Sequence, residues 1–303
     1  MITDTLKALL RSSLPGTYLS LQQSLANRRL RRVSKLIEDK CGLVVQGGPF
    51  KGMTYVSEAV CSSLVPKLLG SYEAELHEVL RQILKRDYET VIDVGCAEGY
   101  YAVGLALRLP RARVHAFDID TRARELCKSL ALANNVADRV IVEGECNHER
   151  LNSLIRGRTL IVCDCEGCEL QLLDPEAAPE ITKSDLLVEL HDMIVPNITP
   201  TILSRFAATH DITLVDAEER DPNAFPILKD FDRLTQRTAV AEFRDGPMQW
   251  GYLRRNLRRN NQRARTDTNT VGNTCLGRET RPAKANWPKT HKSAKCFRHP
   301  FLN

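Results

Sequence analysis

The sequence predicts an α/β fold: a doubly wound, mostly parallel seven-stranded sheet with an N-terminal helical extension. Three observations predict it. From Thr90 onward, short apolar runs alternate with helical stretches. The runs are apolar throughout rather than at every second residue, as strands of a parallel sheet buried on both faces are. And at 91–109, VIDVGCAEGYYAVGLALRL, a buried strand passes through a glycine turn into a helix, the way such sheets begin.

Taken in order, residues 20–38 read as an amphipathic helix, with Ala26, Leu30, Val33 and Ile37 at helical spacing and Arg28, Arg29, Arg31 and Arg32 around them. GLVVQGGPFKGMTYV reads as two short strands around Gly47-Gly48. Residues 73–86 read as a helix striped by Leu76, Val79, Leu80 and Leu84. Strands are expected at 91–94, 113–117, 139–143, 160–164, 185–190, 211–216 and 238–243, with helices between the first five and again at 198–208. This divides the chain into an extension (1–89), one ligand-binding α/β domain (90–250) and a basic tail (251–303). The tail has few apolar residues and no period, and is expected to be disordered.

The composition is that of a globular protein, 43% hydrophobic and 27% charged over 303 residues. No stretch approaches about 18 uncharged apolar residues, so a membrane span is excluded. The N-terminus lacks a signal-peptide core, because Asp4, Lys7 and Arg11 interrupt it. A cytoplasmic location is therefore expected. The ten cysteines are scattered, several within apolar runs, which suits a reducing compartment better than a disulfide framework. The net charge of +5 conceals an asymmetry: residues 251–303 hold thirteen Lys/Arg against Asp267 and Glu279, leaving the body at −6.

The glycine turn carries the strongest functional signal. A dinucleotide fingerprint would place glycines at 95, 97 and 100, where the chain has Gly95, Ala97 and Tyr100, so a pyrophosphate cradle is not expected. D-x-G-x-A-x-G stands here instead, and the turn formed by Gly95, Cys96, Ala97 and Gly99 after Asp93 is expected to lie against a nucleotide-like ligand. Gly95 and Gly99 are expected to leave room for it. Asp118 ends the second strand, placed to accept both hydroxyls of a ribose, and Glu145 follows the third, where a carboxylate accepts from an adenine amino group.

This constellation resembles the S-adenosylmethionine-binding core of class I methyltransferases, whose fold is Rossmann-like. Asp93 and the glycine turn match the first motif, Asp118 the ribose acid, and Glu145 the adenine-side acid. Within that superfamily DCEGCE at 164–169 resembles the D-x-E-G-x-E signature of FkbM-like methyltransferases. GPFKGMTYV and PKLLGSYEAEL upstream fit a related bacterial subgroup. The resemblance covers about 90–245 and implies S-adenosylmethionine as cofactor, with O-methylation of a small-molecule or glycan hydroxyl as the activity. The alternatives are an RNA-directed methyltransferase docking through its basic tail, and a non-catalytic nucleotide-binding protein. Nucleic-acid contact is not favoured, because RRNLRRNNQRAR lacks interleaved aromatics.

On the acceptor side, Asp164 and Glu166 follow the fourth strand and Glu189, His191 and Asp192 the fifth, facing one crevice. His191 is read as the base that removes the acceptor proton, by its intrinsic pKa. Asp164 would orient it, take the proton itself, or approach the sulfonium. No metal ligand set is assigned, although Asp164, Glu189, His191 and Asp192 are of a kind that binds divalent cations. Cys163, Cys165 and Cys168 are read as small buried residues.

Overall fold

A computed structural model describes residues 15–244 and 246–256. Seven strands form one sheet: β1 (Thr90–Val94), β2 (Arg113–Phe117), β3 (Val140–Glu143), β4 (Thr159–Cys163), β5 (Asp185–Glu189), β6 (His210–Asp216) and β7 (Gln249–Arg255). Their order is β3-β2-β1-β4-β5-β7-β6. From β3 to β5 every neighbouring pair is parallel, and β7 runs antiparallel to both β5 and β6. This is the doubly wound, mostly parallel sheet expected. β1 lies between β2 and β4, so the chain reverses direction across the sheet there. That switch opens a crevice outside the carboxyl ends of β1 and β4.

The helices are α1 (Pro15–Cys41), α2 (Leu64–Leu69), α3 (His77–Leu84), α4 (Tyr100–Arg108), α5 (Thr121–Ala133), α6 (His148–Leu154), α7 (Glu169–Leu172), α8 (Ile198–Phe206) and α9 (Arg233–Val240). Side chains start several of them: Asp120 accepts from Ala123 N, Asn147 from Arg150 N, and Asp232 from Leu234 N and Thr235 N. Successive strand residues face opposite layers. Val91, Leu160 and Leu187 join one apolar cluster, while Ile92, Ile161 and Leu186 join another. The first cluster also takes in Val33 and Ile37 of α1, and Phe50, Met53 and Tyr55. The N-terminal segment thus shares the core of the sheet domain.

Three expectations are corrected. The seventh strand is not 238–243, because Asp232 caps α9 and carries the helix through Val240. Instead QWGYLRR forms β7, with Trp250 and Tyr252 buried and Gly251 and Leu253 toward the other face. A boundary at 250 therefore cuts through a strand. The strand pair around Gly47-Gly48 reduces to one antiparallel bridge, Val44 with Thr54. The helix expected from 73 begins after Glu73, whose φ of +47° is left-handed, as a short 3₁₀ turn leading into α3. Among the described residues no helix is long and apolar enough to cross a membrane. The tail from 257 on, and its expected disorder, lie outside the described residues.

Candidate functional site

The turn after β1 packs against its own neighbours more closely than its sequence suggests. Gly95, Ala97 and Gly99 have φ of +84°, +47° and +99°. A Cβ on Gly95 would overlap the Asp164 carbonyl oxygen, and one on Gly99 would lie 2.8 Å from Cys127 Sγ on α5. The glycines therefore admit the loop after β4 and the helix after β2, and the expectation that they leave space for a ligand is corrected. Gly95 N and Cys96 N both donate to Phe117 O at 2.9 Å, and Gly99 N donates to Cys96 O at 2.8 Å. Ala97, left-handed with a Cβ, is held by donating its N–H to Asp118 Oδ2 at 2.9 Å. Asp118 Oδ1 accepts from Asp120 N at 2.8 Å.

These bonds occupy the amides of Gly95, Cys96, Ala97 and Gly99, which leaves the turn poorly suited to cradle a pyrophosphate. Asp118 is half-buried at the tip of β2, and burial raises its pKa. Each of its oxygens keeps a second lone pair for ribose hydroxyls. Under the turn, Asp93 is 2% exposed and its Oδ2 has no hydrogen-bond partner among the described residues. Burial, then the charge of Asp164, pushes its pKa up to about 8. Cys96 is buried beside Cys127. Glu145 is exposed two residues beyond β3, and no contact among the described residues joins it to the turn. The strand's own acid, Glu143, is paired with Arg150 at 2.8 Å.

Glu98, inside the turn, was not singled out in the sequence. It is fully buried and accepts from Tyr55 OH at 2.6 Å, from Val60 N at 3.0 Å and from Lys67 Nζ. Lys67 is itself 2% exposed, 4.7 Å above the Tyr72 ring. The upstream PKLLGSYEAEL segment, already notable in the sequence, thus fastens the turn from above. Its Glu73 is buried against Tyr101 OH and Arg244, and burial raises its pKa to about 8.

The acceptor side is an acidic cluster around one imidazole. Asp164 and His191 come together as expected, with His191 Nε2 at 3.6 Å from Asp164 Oδ1. Nε2 also lies 3.6 Å from Glu189 Oε2 and 3.7 Å from Glu166 Oε2. Nδ1 is hydrogen-bonded to Glu169 Oε1 at 2.8 Å, and the same oxygen accepts from Cys165 N at 2.9 Å. His191 is 3% exposed and Glu169 fully buried. Burial opposes charge on the ring, yet the Glu169 hydrogen bond and the charges of Asp164 and Glu166 raise its pKa to about 9. A ring enclosed by carboxylates at both nitrogens has no open edge for a substrate proton, so the reading of His191 as free base is corrected. Burial raises the pKa of Asp164 and, further, that of Glu189, where the charge of Asp164 adds to it. Asp192 belongs elsewhere: it accepts from Thr199 N and Oγ1 at the start of α8.

The loop carrying these acids is closed by a Cys165–Cys168 disulfide. The reading of the three as small buried residues holds for Cys163, which is buried and free. For Cys165 and Cys168 it is corrected, as is the expectation that the cysteines suit a reducing compartment better than disulfides. Glu166 and Gly167 take left-handed φ of +57° and +101° in this tight loop.

These features fit S-adenosylmethionine: a turn with four of its amides already bonded, a ribose acid at the neighbouring tip, and a buried acid with an unpartnered oxygen beneath the turn. Residues 76–154, which hold the turn and Asp118, match the family described as methyltransferase small domain. The chain is accordingly an S-adenosylmethionine-dependent methyltransferase. No curated protein matches it. Among solved structures it is similar to a precorrin-6y C5,15-methyltransferase from Geobacter metallireducens (TM-score 0.40, 12% identity, 58% of this chain and 87% of that one). It is similar also to an O-methyltransferase from Bacillus cereus in complex with SAH (0.38, 13%, 59% and 80%). A third is a putative rRNA methylase from Clostridium thermocellum (0.41, 15%, 60% and 95%). At such scores these likenesses add nothing to the fold described above.

Proposed function

We propose that the enzyme transfers the methyl group of S-adenosylmethionine to a hydroxyl of a small molecule or glycan, in the manner of the FkbM-like enzymes its DCEGCE loop resembles. A cytoplasmic location is part of that proposal. The observation that carries it is the acidic cluster at the tips of β4 and β5, one strand along the crevice from the donor turn. When bound, the donor supplies an electrophilic methyl on a sulfonium. Asp93, Asp118 and the turn 95–99 would hold it, and Glu145 its adenine side. A hydroxyl acceptor must lose its proton as it attacks. Asp164 is the member of the cluster placed to receive it, its side chain 27% exposed between a buried Glu189 and a buried His191. His191, tied to Glu169, positions that carboxylate.

The test is transfer of isotope-labelled methyl from the donor into a fractionated cell extract. Label is expected in nuclease-resistant, low-molecular-mass or glycan material. Label confined to RNA would replace this reading with the RNA-directed one. If wild type binds donor yet labels no fraction, the binding-only reading stands. Asp164→Asn should lower turnover by about 10²–10⁴-fold while donor affinity is kept.

A further inference from the structure

We propose that the cluster at the tips of β4 and β5 is a divalent-cation site, with His191 Nε2, Asp164, Glu189 and Glu166 as its donors and Glu169 as the residue that orients the imidazole. It deepens the acceptor site proposed above, but its geometry does not depend on which acceptor is methylated.

The arrangement around Nε2 is specific. Three carboxylate oxygens, from Asp164, Glu189 and Glu166, stand at 3.6, 3.6 and 3.7 Å, all just outside hydrogen-bond distance. Groups that wanted only a proton between them would close to about 2.8 Å. Two donors each about 2.1 Å from one cation stand about 3.0–3.4 Å apart, so each of these three separations from Nε2 is only a few tenths of an ångström wider than that of two ligands sharing an ion. The other ring nitrogen is already committed, since Nδ1 is held by Glu169 Oε1 at 2.8 Å. A carboxylate on the far nitrogen fixes the tautomer that leaves Nε2 as a donor, which is how metal-binding histidines are held.

A second observation points the same way. Glu169 is fully buried, and its Oε2 has no hydrogen-bond partner among the described residues. It belongs to the cluster in which Asp164, Glu169 and His191 each offer a donor atom within 4.8 Å of the others. A buried unpartnered carboxylate oxygen is costly unless a cation lies nearby. Across the crevice Asp93 Oδ2 is likewise buried and unpartnered. The Cys165–Cys168 disulfide closes the loop that presents Asp164 and Glu166, so these donors are held on a short, constrained segment. One imidazole with three carboxylates is a mixed donor set suited to a first-row divalent ion such as Mn²⁺. A cation there would hold the acceptor oxygen at the crevice and lower the pKa of its hydroxyl.

The test is titration of MnCl₂ into the full chain after chelator treatment, following the electron paramagnetic resonance of free Mn²⁺, with binding of the demethylated donor product measured on the same sample. The expected result is one Mn²⁺ per chain, with affinity reduced about tenfold or more in His191→Ala and Asp164→Asn. Glu169→Gln should lose about 10–100-fold by misdirecting the ring, while Asp192→Asn, outside the cluster, should bind as wild type. Should a core variant fail to fold by circular dichroism, Glu166→Gln on the half-exposed loop decides, with the same tenfold loss expected. No stoichiometric Mn²⁺ binding, or equal binding by wild type and all cluster variants, overturns the site. Product binding that persists in that case leaves the methyltransferase reading intact.

Discussion

At Asp93 a carboxylate lies under the glycine turn with one oxygen unpartnered and a pKa raised to about 8. An acid whose folded pKa exceeds its unfolded value binds the proton more tightly in the folded state. The unfolded chain loses it near pH 4 while the folded chain keeps it to about pH 8, so stability contributed here falls as pH rises through that window. Asp93→Asn removes the dependence. Melting temperatures of donor-free protein should show the variant gaining on wild type from pH 5 to pH 9, by up to about 1.4 kcal/mol per pH unit. A difference that stays constant with pH would mean that Asp93 is not the buried acid described. The glycines give a second expectation at this scale. Gly95→Ala forces a Cβ into the Asp164 carbonyl at a left-handed φ, and should cost about 3 kcal/mol or more in denaturant unfolding. A variant as stable as wild type would place the β4 loop elsewhere.

Among the elements, β7 and the upstream segment decide the boundaries. β7 is inserted between β5 and β6, pairing with each through residues beyond 250. A chain ending at 250 should fail to melt cooperatively, whereas one ending at 256 should keep the melting temperature of the full chain. Equal melting of the two would contradict the pairing. The Lys67–Glu98 pair joins α2 to the donor turn with both side chains buried. Lys67→Met leaves Glu98 charged and buried, and should destabilise by about 3–5 kcal/mol, with part regained in Lys67→Met/Glu98→Gln. Six of the seven strands were legible in the sequence: five are parallel and doubly covered, hence continuous apolar runs, and β6, an antiparallel edge strand, keeps the short apolar run of Ile212, Leu214 and Val215. The seventh was not: TAVAEF has the composition of a strand, but Asp232 starts a helix across its first half, and the decisive pairings lie in QWGYLRR. Asp118 and Asp164 were legible because strand tips are fixed by the sheet. Glu98 and Lys67 were not, since their pairing crosses 31 residues of sequence, and Glu169 passed unread because its partner His191 lies 22 residues on.

Across the whole molecule, the carboxyl ends of the central strands gather buried acidic side chains in one crevice. Asp93, Asp164, Glu169 and Glu189 converge there around His191, and Glu73 nearby is itself matched by Arg244. Acids there repel a phosphate-bearing ligand once ionised, in accord with a turn whose Gly95, Cys96, Ala97 and Gly99 amides are already bonded. The central claim is that this crevice holds a methyl donor against the turn 95–99 with its ribose on Asp118. Calorimetric titration of the demethylated donor product into wild type and Asp118→Ala, with melting followed in parallel, tests it most directly. One site per wild-type chain is expected, weakened in a folded Asp118→Ala by about 1.5–3 kcal/mol, the worth of a hydrogen bond to a charged group. No binding by wild type, or an unchanged dissociation constant in the folded variant, would contradict it.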